Sequence, residues 1–383
     1  MKIAFICAFN GNQNTGMVSV DAAIPSLIGR LPEEARPQVR LFCTELAQTF
    51  GDIPGWGRVD YALLDKPIKQ LAGFDRIVFW GDFLHAKRYH VLDHRLRQIR
   101  AGLTAEEAKE SGYRRLLLED APDEMLQRVV VFGGSMFHNR LMEEDKRYAA
   151  AIGRLFRHAA LVQMRDPVSA ALVQRLSGFT RSDTQGMDCA FLLDSDDVFA
   201  WTGTAPPEPT RKVIGYSFGR SPNPELMLAL TRRIAEMQDA EIGNIHWLDG
   251  RFASPLQKLA ERLSRVRQSS LVITDTYHCA MNAWREGVPA ICIGEGSNRA
   301  AMSLADKKKE LAYQMLGLMD HYVYSEMLSG PGGVTHVADT LAKPLRRSAA
   351  PRVTQAIDGW TRQAEAKLIQ ALGLAASPAA ARA

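Results

Sequence analysis

The feature that most constrains the fold is a series of short, uninterrupted apolar runs, each followed by a polar or glycine-containing turn and a helical stretch. A strand that is apolar at every position is buried on both faces, which is typical of a parallel sheet covered by helices. Parallel strands also need crossover connections, which are usually helices. The sequence therefore predicts an α/β fold with parallel sheets. The predicted strands are Lys2–Phe9, Arg76–Trp80, Arg128–Phe132, Ala160–Met164, Cys189–Leu193, Lys212–Ser217, Ile242–Trp247, Leu271–Thr274 and Ala290–Ile293.

One break divides this pattern into two halves. Residues 194–211 contain the sequence Ala-Pro-Pro-Glu-Pro, and proline removes backbone donors, so we expect a linker there and no helix or strand. A chain of 383 residues suits two domains. We predict one Rossmann-like domain over residues 1–200 and a second over residues 201–345. A helical segment over residues 346–375 should follow, and residues 376–383 should fray.

Composition narrows the class of protein. Hydrophobic residues make up 46% of the chain and charged residues 23%, which excludes a largely disordered protein. A net charge of +4 is compatible with anionic small substrates or a membrane surface, and it is too small to indicate nucleic-acid binding. The basic run Lys307-Lys308-Lys309 is interpreted as a solvated helix face. With no apolar run near the roughly 20 residues that span a bilayer, and an N-terminal run too short for a signal peptide, we expect a cytoplasmic protein.

Cysteine and histidine do not indicate a metal site. The cysteines lack close pairs, so we predict reduced, buried thiols; they are Cys7, Cys43, Cys189, Cys279 and Cys292. His85, His90 and His94 could share one helical face, but no acidic residue or cysteine stands at ligand spacing beside them. We interpret this face as solvated and expect no metal.

The most informative segment runs from Asp275 through Thr276 and Tyr277 to His278. It follows a buried strand, and Asp275 or Thr276 could cap the next helix through a side-chain oxygen. His278 then lies in the first helical turn, where backbone N–H groups point outward and the helix dipole favours an anion. Two interpretations stay open. The histidine could exchange protons beside a bound phosphate or carboxylate, or it could simply cap or pack.

A second candidate is Arg165 at the carboxyl end of a predicted strand. Asp166 as N-cap and Pro167 in the first helical position define a strand-to-helix corner there. A guanidinium at that edge could grip a carboxylate or phosphate with two hydrogen bonds. An ordinary surface arginine is the competing interpretation.

Further polar loops follow other predicted strands, where ligands of open parallel sheets bind. Residues 10–16, which include Asn14, could hydrogen-bond an acceptor sugar or could merely connect a strand to a helix. Glycine in the other loops would let a ligand approach the backbone. These loops are Trp80–Asp82, Gly133–Ser135 with Ser135, and Ser217–Ser221 with Ser217 and Arg220.

Taken in order, these segments resemble the polysaccharide pyruvyl transferase family. The resemblance extends from residue 3 to about residue 318, and its most specific block surrounds His278 and continues through Glu286-Gly287-Val288-Pro289. The segments that carry it are residues 10–16, Asp75–Gly81, Val131–Ser135, Met164–Ser169, Asp188–Leu193 and Ser270–Ile293.

The resemblance implies a GT-B-like pair of domains with an interdomain cleft, and a C-terminal helix that crosses back to the first domain. It implies transfer of a pyruvyl group from phosphoenolpyruvate, bound by the second domain, to sugar hydroxyls held by the first, as a ketal on a surface polysaccharide or its precursor. The essential histidine of the family falls on His278 and its anion-binding arginine on Arg165. The implied partners are a small-molecule donor and a saccharide acceptor, free or lipid-linked, with no cofactor and no nucleic acid. Peripheral contact with the inner face of the membrane stays open.

One position departs from the family pattern. Family members usually carry arginine two residues before the histidine, and Thr276 stands there in this chain. A hydrogen bond to a charged group contributes about 1.5–3 kcal/mol, so this loss should weaken donor binding. Arg220, Arg285 or Arg299 could supply the missing charge. Two alternatives therefore stay open: a GT-B glycosyltransferase that uses a nucleotide sugar, and a non-catalytic binding protein of a polysaccharide-assembly complex.

Overall fold

The chain divides into two compact units, each built around a parallel sheet. The computed structural model describes residues 1–8, 14–45, 49–136, 145–206, 212–248, 254–296, 304–346 and 350–374. Unit 1 comprises residues 1–11, 20–193 and 361–383, and unit 2 comprises residues 12–19 and 194–360. The predicted α/β class with two parallel sheets is therefore confirmed.

The sheet of unit 1 has six parallel strands in the order β5-β2-β1-β6-β7-β8. Its strands are β1 (Lys2–Cys7), β2 (Gln38–Cys43), β5 (Tyr61–Leu63), β6 (Arg76–Trp80), β7 (Val129–Gly134) and β8 (Leu161–Met164); β3 (Gly51–Ile53) and β4 (Gly57–Val59) form a separate antiparallel hairpin. Strand β1 pairs with β2 and β6 at its two edges and is buried from Ile3 to Cys7. The direction of chain progression reverses between β1 and β6, which makes this the switch point of the sheet.

Helices connect these strands. They are α1 (Thr15–Gly29), whose first five residues group with unit 2, then α2 (Pro67–Leu71), α3 (Arg95–Arg100), α4 (Ala105–Leu116), α5 (Asp123–Leu126), α6 (Lys146–His158) and α7 (Pro167–Leu176). A π-helix, Tyr89–His94, leads into α3, and short 3₁₀ helices cover Glu33–Ala35 and Cys189–Leu192.

The sheet of unit 2 has five parallel strands in the order β10-β9-β11-β12-β13, with its switch point between β9 and β11. Its strands are β9 (Val213–Ser217), β10 (Glu241–Asn244), β11 (Leu271–Thr274), β12 (Ala290–Gly294) and β13 (Tyr322–Tyr324). Its helices are α8 (Ser195–Thr202), α9 (Pro224–Gln238), α10 (Pro255–Arg267), α11 (Tyr277–Arg285), α12 (Leu304–Met315), α13 (Gly333–Arg346) and α14 (Ala350–Leu372), with 3₁₀ turns at Met319–His321 and Ser325–Leu328.

The core of unit 2 shows why these segments fold together. Apolar residues of the three central strands β9, β11 and β12 pack against apolar faces of α9 and α13, which removes one face of these strands from water. Burial of such side chains stabilises the fold by about 1.5–3 kcal/mol each. The residues are Ile214, Leu271, Ile273, Ile291 and Ile293 from the strands, Met227, Leu230 and Ile234 from α9, and Val337, Ala338 and Leu341 from α13.

Two predicted elements are wrong, for local hydrogen-bonding reasons. The apolar run that begins at Cys189 is a 3₁₀ helix because the Asp188 carboxylate accepts a hydrogen bond from Ala190 N at 2.9 Å and starts a turn. The expected linker contains α8, which Asp194 caps through Asp196 N at 2.9 Å and which ends at Gly203 in the left-handed region. Part of the proline-rich stretch, residues 207–211, lies outside the described residues.

Three strands of the two sheets were not predicted from the sequence. In β2 the first residues alternate polar and apolar and are partly exposed, so no continuous apolar run marks the strand. Strands β5 and β13 have three residues each, too short to stand out from their surroundings. All three complete a sheet whose central strands were predicted.

The predicted C-terminal helix is confirmed as α14. Its residues up to 360 group with unit 2, and those from 361 group with unit 1. Within unit 1, Arg30 Nη1 lies 2.6 Å from Glu365 Oε2, and Arg76 Nε donates to Ala371 O at 2.8 Å. All five cysteines are buried thiols, as predicted. Among the described helices none is long and apolar enough to cross a membrane.

Candidate functional site

The switch point of the unit 2 sheet brings together two loops that the sequence marked separately. The loop after β9 carries Ser217 and Arg220, and the segment after β11 begins with Asp275. The Asp275 carboxylate accepts hydrogen bonds from the backbone N–H groups of Gly219 at 3.1 Å, Arg220 at 2.7 Å and Ser221 at 2.8 Å. Asp275 is 1% exposed, and these charge-assisted hydrogen bonds hold the neighbouring loop in place.

Ser217 also serves the scaffold. Its Oγ accepts a hydrogen bond from Trp247 N at 3.0 Å, and its carbonyl accepts one from Thr274 Oγ1 at 2.7 Å. Thr274 Oγ1 in turn accepts from Thr276 N at 3.0 Å. These bonds tie the ends of β9 and β11 to the loop after β10, so Ser217 positions backbone and is itself only 2% exposed.

The N-terminal end of α11 lacks the side-chain cap that the sequence predicted. Thr276 occupies the N-cap position, but its side chain makes no capping hydrogen bond; its Oγ1 lies 3.2 Å from Asp275 Oδ1. The prediction that Asp275 or Thr276 caps the helix through a side-chain oxygen is therefore wrong. Tyr277 and His278 do occupy the first turn, as predicted.

His278 is packed in this structure, with 4% of its surface exposed. Its ring centroid lies 4.9 Å from that of Tyr277 in an edge-to-face contact. The first turn of α1 lies directly against the ring: a Cβ placed on Gly16 would be 2.4 Å from His278 Nδ1. Glycine is required here because any side chain would collide with the imidazole. A ligand can contact this ring only if a covering segment moves.

Asn14 lies just before the turn that covers His278, and its polar atoms bond to backbone N–H groups. Its Oδ1 accepts a hydrogen bond from Gly16 N at 3.0 Å and its carbonyl accepts one from Met17 N at 3.0 Å, so it starts α1. Thr15 Oγ1 then donates to Trp247 O at 2.6 Å. Asn14 is thus engaged in capping, which gives no support to its predicted contact with a sugar. Residues 10–13 of that loop lie outside the described residues.

Two lysines that sequence reasoning assigned to a solvated face belong to this site. Lys309 is 2% exposed; its Nζ donates to Asp275 O at 3.0 Å and to Ile293 O at 2.9 Å, and it lies 2.5 Å from Asp306 Oδ1. Lys308 Nζ lies 4.9 Å from the ring centroid of Tyr277. The solvated-face interpretation is wrong for Lys309. The available signal was helical spacing, since Lys309 stands four residues before the buried Tyr313 on α12.

The three arginines proposed to replace the missing charge fall in different places. Arg220 is exposed, on the loop that Asp275 holds. Arg285 lies at the far end of α11, about 12 Å along the helix from Tyr277, and its Nη2 donates to Ser195 Oγ at 2.6 Å and to Glu286 Oε1 at 2.8 Å. Arg220 therefore lies at the site, and Arg285 lies away from it. Arg299 lies outside the described residues.

In unit 1 the predicted ligand residues Arg165 and Ser135 are each bonded to a buried aspartate. Arg165 follows β8, as predicted, but its side chain is 2% exposed and its Nη1 donates to Asp188 Oδ2 at 2.7 Å. Its guanidinium carbon also lies 5.0 Å from the ring centroid of Phe83. The alternative of an ordinary surface arginine is wrong, and the donor role stays a prediction.

Ser135 is held in the same way. Its Oγ donates to Asp166 Oδ2 at 2.7 Å, and Asp166 Oδ1 accepts from Ser169 N at 2.8 Å. The latter bond confirms Asp166 as the N-cap of α7, with Pro167 in the first helical position. Ser135 is 1% exposed, and its hydroxyl ties the end of β7 to the corner between β8 and α7.

His85, His90 and His94 are buried, so the prediction of a solvated face is wrong. His85 and His90 reach backbone carbonyls through Nε2 at 3.1 and 2.8 Å, and His94 reaches Ser111 Oγ at 2.9 Å. Burial lowers their pKa values to about 3, 4 and 3 respectively, because it penalises the charged ring. Over the described part of the chain, no group of three or more His, Cys, Asp or Glu side chains could hold a metal ion.

Comparison with known families tests the resemblance that these segments suggest. The model of the polysaccharide pyruvyl transferase family matches residues 109–297, a span that contains both Arg165 and His278. Over these residues the protein matches the polysaccharide pyruvyl transferase family. It is accordingly a transferase, and the resemblance inferred from its sequence is confirmed. Lys308 and Lys309 lie beyond the matched span.

Other comparisons are more distant. No curated protein matches the sequence. Similar solved structures include a UDP-GlcNAc 2-epimerase from Neisseria meningitidis bound to UDP-GlcNAc, at 10% identity and a TM-score of 0.45 over 90% of this chain and 100% of that one. A spinosyn rhamnosyltransferase complexed with thymidine diphosphate reaches 13% and 0.42 over 94% and 96%. A functionally uncharacterised protein from Klebsiella pneumoniae reaches 11% and 0.43 over 84% and 92%.

Proposed function

We propose that this polysaccharide pyruvyl transferase family member moves a pyruvyl group from phosphoenolpyruvate onto two hydroxyls of a sugar in a surface polysaccharide or its precursor. The donor binds at the N-terminal end of α11. The observation that carries the proposal is the meeting, at the switch point of the unit 2 sheet, of that helix end with Arg220, Lys308 and His278. Ligands of open parallel sheets bind at such switch points.

Charge supports an anionic donor. Phosphoenolpyruvate carries a carboxylate and a phosphate, and the N-terminal end of a helix favours both. Lys308 beside Tyr277 and the exposed Arg220 add positive charge from two sides. The one acidic side chain at the helix start, Asp275, is neutralised locally by backbone N–H groups that donate to it. Lys308 and Arg220 thereby take the place of the arginine that Thr276 replaces.

The proposed reaction balances with one proton-transfer group. The donor's methylene carbon gains a proton, and its C2 forms bonds to two sugar oxygens. The bond from C2 to the phosphate-ester oxygen breaks, and inorganic phosphate leaves with the proton of the second hydroxyl. His278 takes a hydroxyl proton and delivers one to the methylene carbon, a role that typically contributes about 10²–10⁴-fold in rate. The donor's charges are met by lysine, arginine and the helix end, so the step uses no cofactor.

The burial of His278 adds a requirement. Because Gly16 covers the imidazole and only 4% of the residue is exposed, substrate binding must shift the first turn of α1 before the ring can exchange protons. That turn groups with unit 2 while the rest of α1 groups with unit 1. The first turn of α1, which begins at Thr15, is therefore the segment that we expect to move.

The test offers donors separately. The protein is incubated with phosphoenolpyruvate, or with a set of nucleotide sugars, together with methyl pyranosides whose 4- and 6-hydroxyls are unblocked. We expect inorganic phosphate and a ketal methyl signal in the proton NMR spectrum to appear in equal amounts with phosphoenolpyruvate alone. Release of a nucleoside diphosphate would replace the proposal by the glycosyltransferase alternative. Binding of neither donor would support a non-catalytic binding protein.

A further inference from the structure

The segment Tyr89–Arg100 in unit 1 presents an unusual apolar surface. Val91, Leu92, Leu96 and Ile99 are 37%, 44%, 48% and 38% exposed. We call these four side chains the outer stripe. Eleven large hydrophobic side chains are exposed over the described residues, and four of them fall within the nine positions from Val91 to Ile99. Scattered exposed hydrophobic residues need no explanation, but a contiguous patch indicates a binding surface.

The buried face of the same segment is polar. His90, His94 and Gln98 are 8%, 1% and 3% exposed. Gln98 Nε2 donates to Thr44 O at 2.7 Å, and Gln98 Oε1 accepts from Arg115 Nη1 at 2.8 Å. An ordinary surface helix buries its apolar side chains and exposes its polar ones. Here the pattern is inverted, so the fold of the chain itself gives no reason for the outer stripe.

The inverted orientation is fixed by contacts beneath the segment. His94 Nε2 reaches Ser111 Oγ on α4 at 2.9 Å. The ring of His90 lies so close to Gly112 that a Cβ there would be 3.1 Å from His90 Nδ1. Rotation that would bury the outer stripe would break these hydrogen bonds and leave polar groups unsatisfied, which is costly. The stripe therefore faces outward in any state that keeps this packing.

Charge around the outer stripe identifies the partner. Residues 88–100 contain four arginines, Arg88, Arg95, Arg97 and Arg100, against one acidic residue, Asp93. Arg97 pairs with Glu45 at 3.0 Å. Arg95 is half-buried and Arg100 is exposed, and neither forms an ion pair with any other described residue. Exposed leucine, isoleucine and valine among arginines are typical of helices that lie in the interface of an anionic membrane.

We propose that the outer stripe docks this protein on an anionic lipid surface. The four apolar side chains enter the region between headgroups and acyl chains, and Arg95 and Arg100 contact lipid phosphates. A second copy of the chain fits less well, because pairing two stripes would bring like-charged arginines together. This surface belongs to unit 1 and does not depend on the donor chemistry proposed for unit 2.

The test uses the full chain and large unilamellar vesicles in a sedimentation assay. We expect binding to vesicles of phosphatidylcholine mixed with phosphatidylglycerol, and little binding to phosphatidylcholine alone. The double variant Arg95→Gln/Arg100→Gln should lose about 30-fold in partitioning, since each basic side chain near such a surface contributes about fivefold. Leu92→Ser/Leu96→Ser should also lose binding. Met237→Ser, an exposed position of similar accessibility on α9, is the matched control and should bind as the unaltered protein does.

Three outcomes would overturn the proposal. One is equal binding to both kinds of vesicle, or to neither. Another is unchanged binding of Leu92→Ser/Leu96→Ser, with its circular dichroism spectrum showing a folded chain. The third is a dimer in size-exclusion chromatography with light scattering that Leu96→Ser converts to a monomer, because a second copy would then cover the outer stripe.

Discussion

The strand ends of unit 1 and unit 2 start from similar sequence features and reach different chemistry. In unit 1 the polar residues after β7 and β8 are already bonded to buried aspartates: Ser135 donates to Asp166, and Arg165 pairs with Asp188. In unit 2, Asp275 takes its partners from the backbone, and the cationic side chain of Arg220 is left exposed. A polar residue after a buried strand is thus available to a ligand only where the fold has not already paired it.

The largest expected effect is on the proton-transfer group of unit 2. We expect His278→Gln to lower the rate of phosphate release about 10²–10⁴-fold, because the general acid–base group is removed. The measurement is phosphate release from phosphoenolpyruvate under saturating donor. His336→Gln, on an exposed face of α13, is the control and should keep the full rate. A His278→Gln protein that is folded and nearly as active as the unaltered chain would remove this residue from the mechanism.

The next effect concerns the buried pair of unit 1. Arg165→Met should lower the free energy of unfolding by about 3–5 kcal/mol, since the charge of Asp188 is left buried without its partner. Arg165→Met/Asp188→Asn should recover most of that loss, because asparagine keeps the oxygen that accepts from Ala190 N. Urea unfolding measures both. If the double variant is stable but no longer binds phosphoenolpyruvate, then Arg165 binds the donor. Unit 1 would then supply a ligand-binding side chain, contrary to the comparison above.

The exposed arginine of unit 2 should behave in the opposite way. We expect Arg220→Ala to weaken phosphoenolpyruvate binding about 10- to 100-fold, the loss of one charge-assisted contact, with the free energy of unfolding unchanged. Isothermal titration calorimetry measures the binding, and Arg232→Ala on the exposed face of α9 is the matched control. Donor binding that is equal in both variants would contradict the placement of the donor.

A smaller effect is expected where α1 meets His278. Gly16→Ala would place a Cβ 2.4 Å from the imidazole, and such overpacking typically costs about 1–3 kcal/mol of stability. Gly29→Ala, in the same helix with no atom within 4 Å of the added carbon, is the control and should be neutral or slightly stabilising. Thermal unfolding compares the two. Equal melting temperatures would show that the first turn of α1 can shift to accommodate the added carbon with no loss of stability.

The smallest expected effect is the acid sensitivity of unit 1. His85, His90 and His94 have pKa values of about 3, 4 and 3 in the folded chain, below the ordinary 6.5. The unfolded chain therefore binds more protons between those values, so stability is lost as pH falls below about 6.5, by about 1 kcal/mol per histidine at pH 6. We expect His90→Gln to flatten this fall in urea midpoint, and the exposed His336→Gln to leave it unchanged. Identical pH profiles for both variants would exclude a contribution from His90.

The fold was predicted where single segments carry complete signals. The strand β11 and the helix α11 follow from a continuous apolar run, a polar turn and Gly287 after the helix. Cys189 misled because apolar character does not distinguish a strand from a short helix when a neighbouring carboxylate starts a turn. The partners of Arg165 and Asp275 come from segments 23 and about 55 residues away. Spacing along the chain does not reveal such pairs.

The sequence by itself determined the α/β class, the two parallel sheets and the position of His278 in the first turn of a helix, which depend on apolar periodicity and turn residues that act over a few neighbouring positions. It also carried the family resemblance, through an ordered set of segments. Only the tertiary structure decided that Lys309 is buried beneath Asp275, that Gly16 covers His278, and that the outer stripe points to solvent. Those outcomes depend on which distant groups satisfy each polar atom, and the folded chain alone settles that.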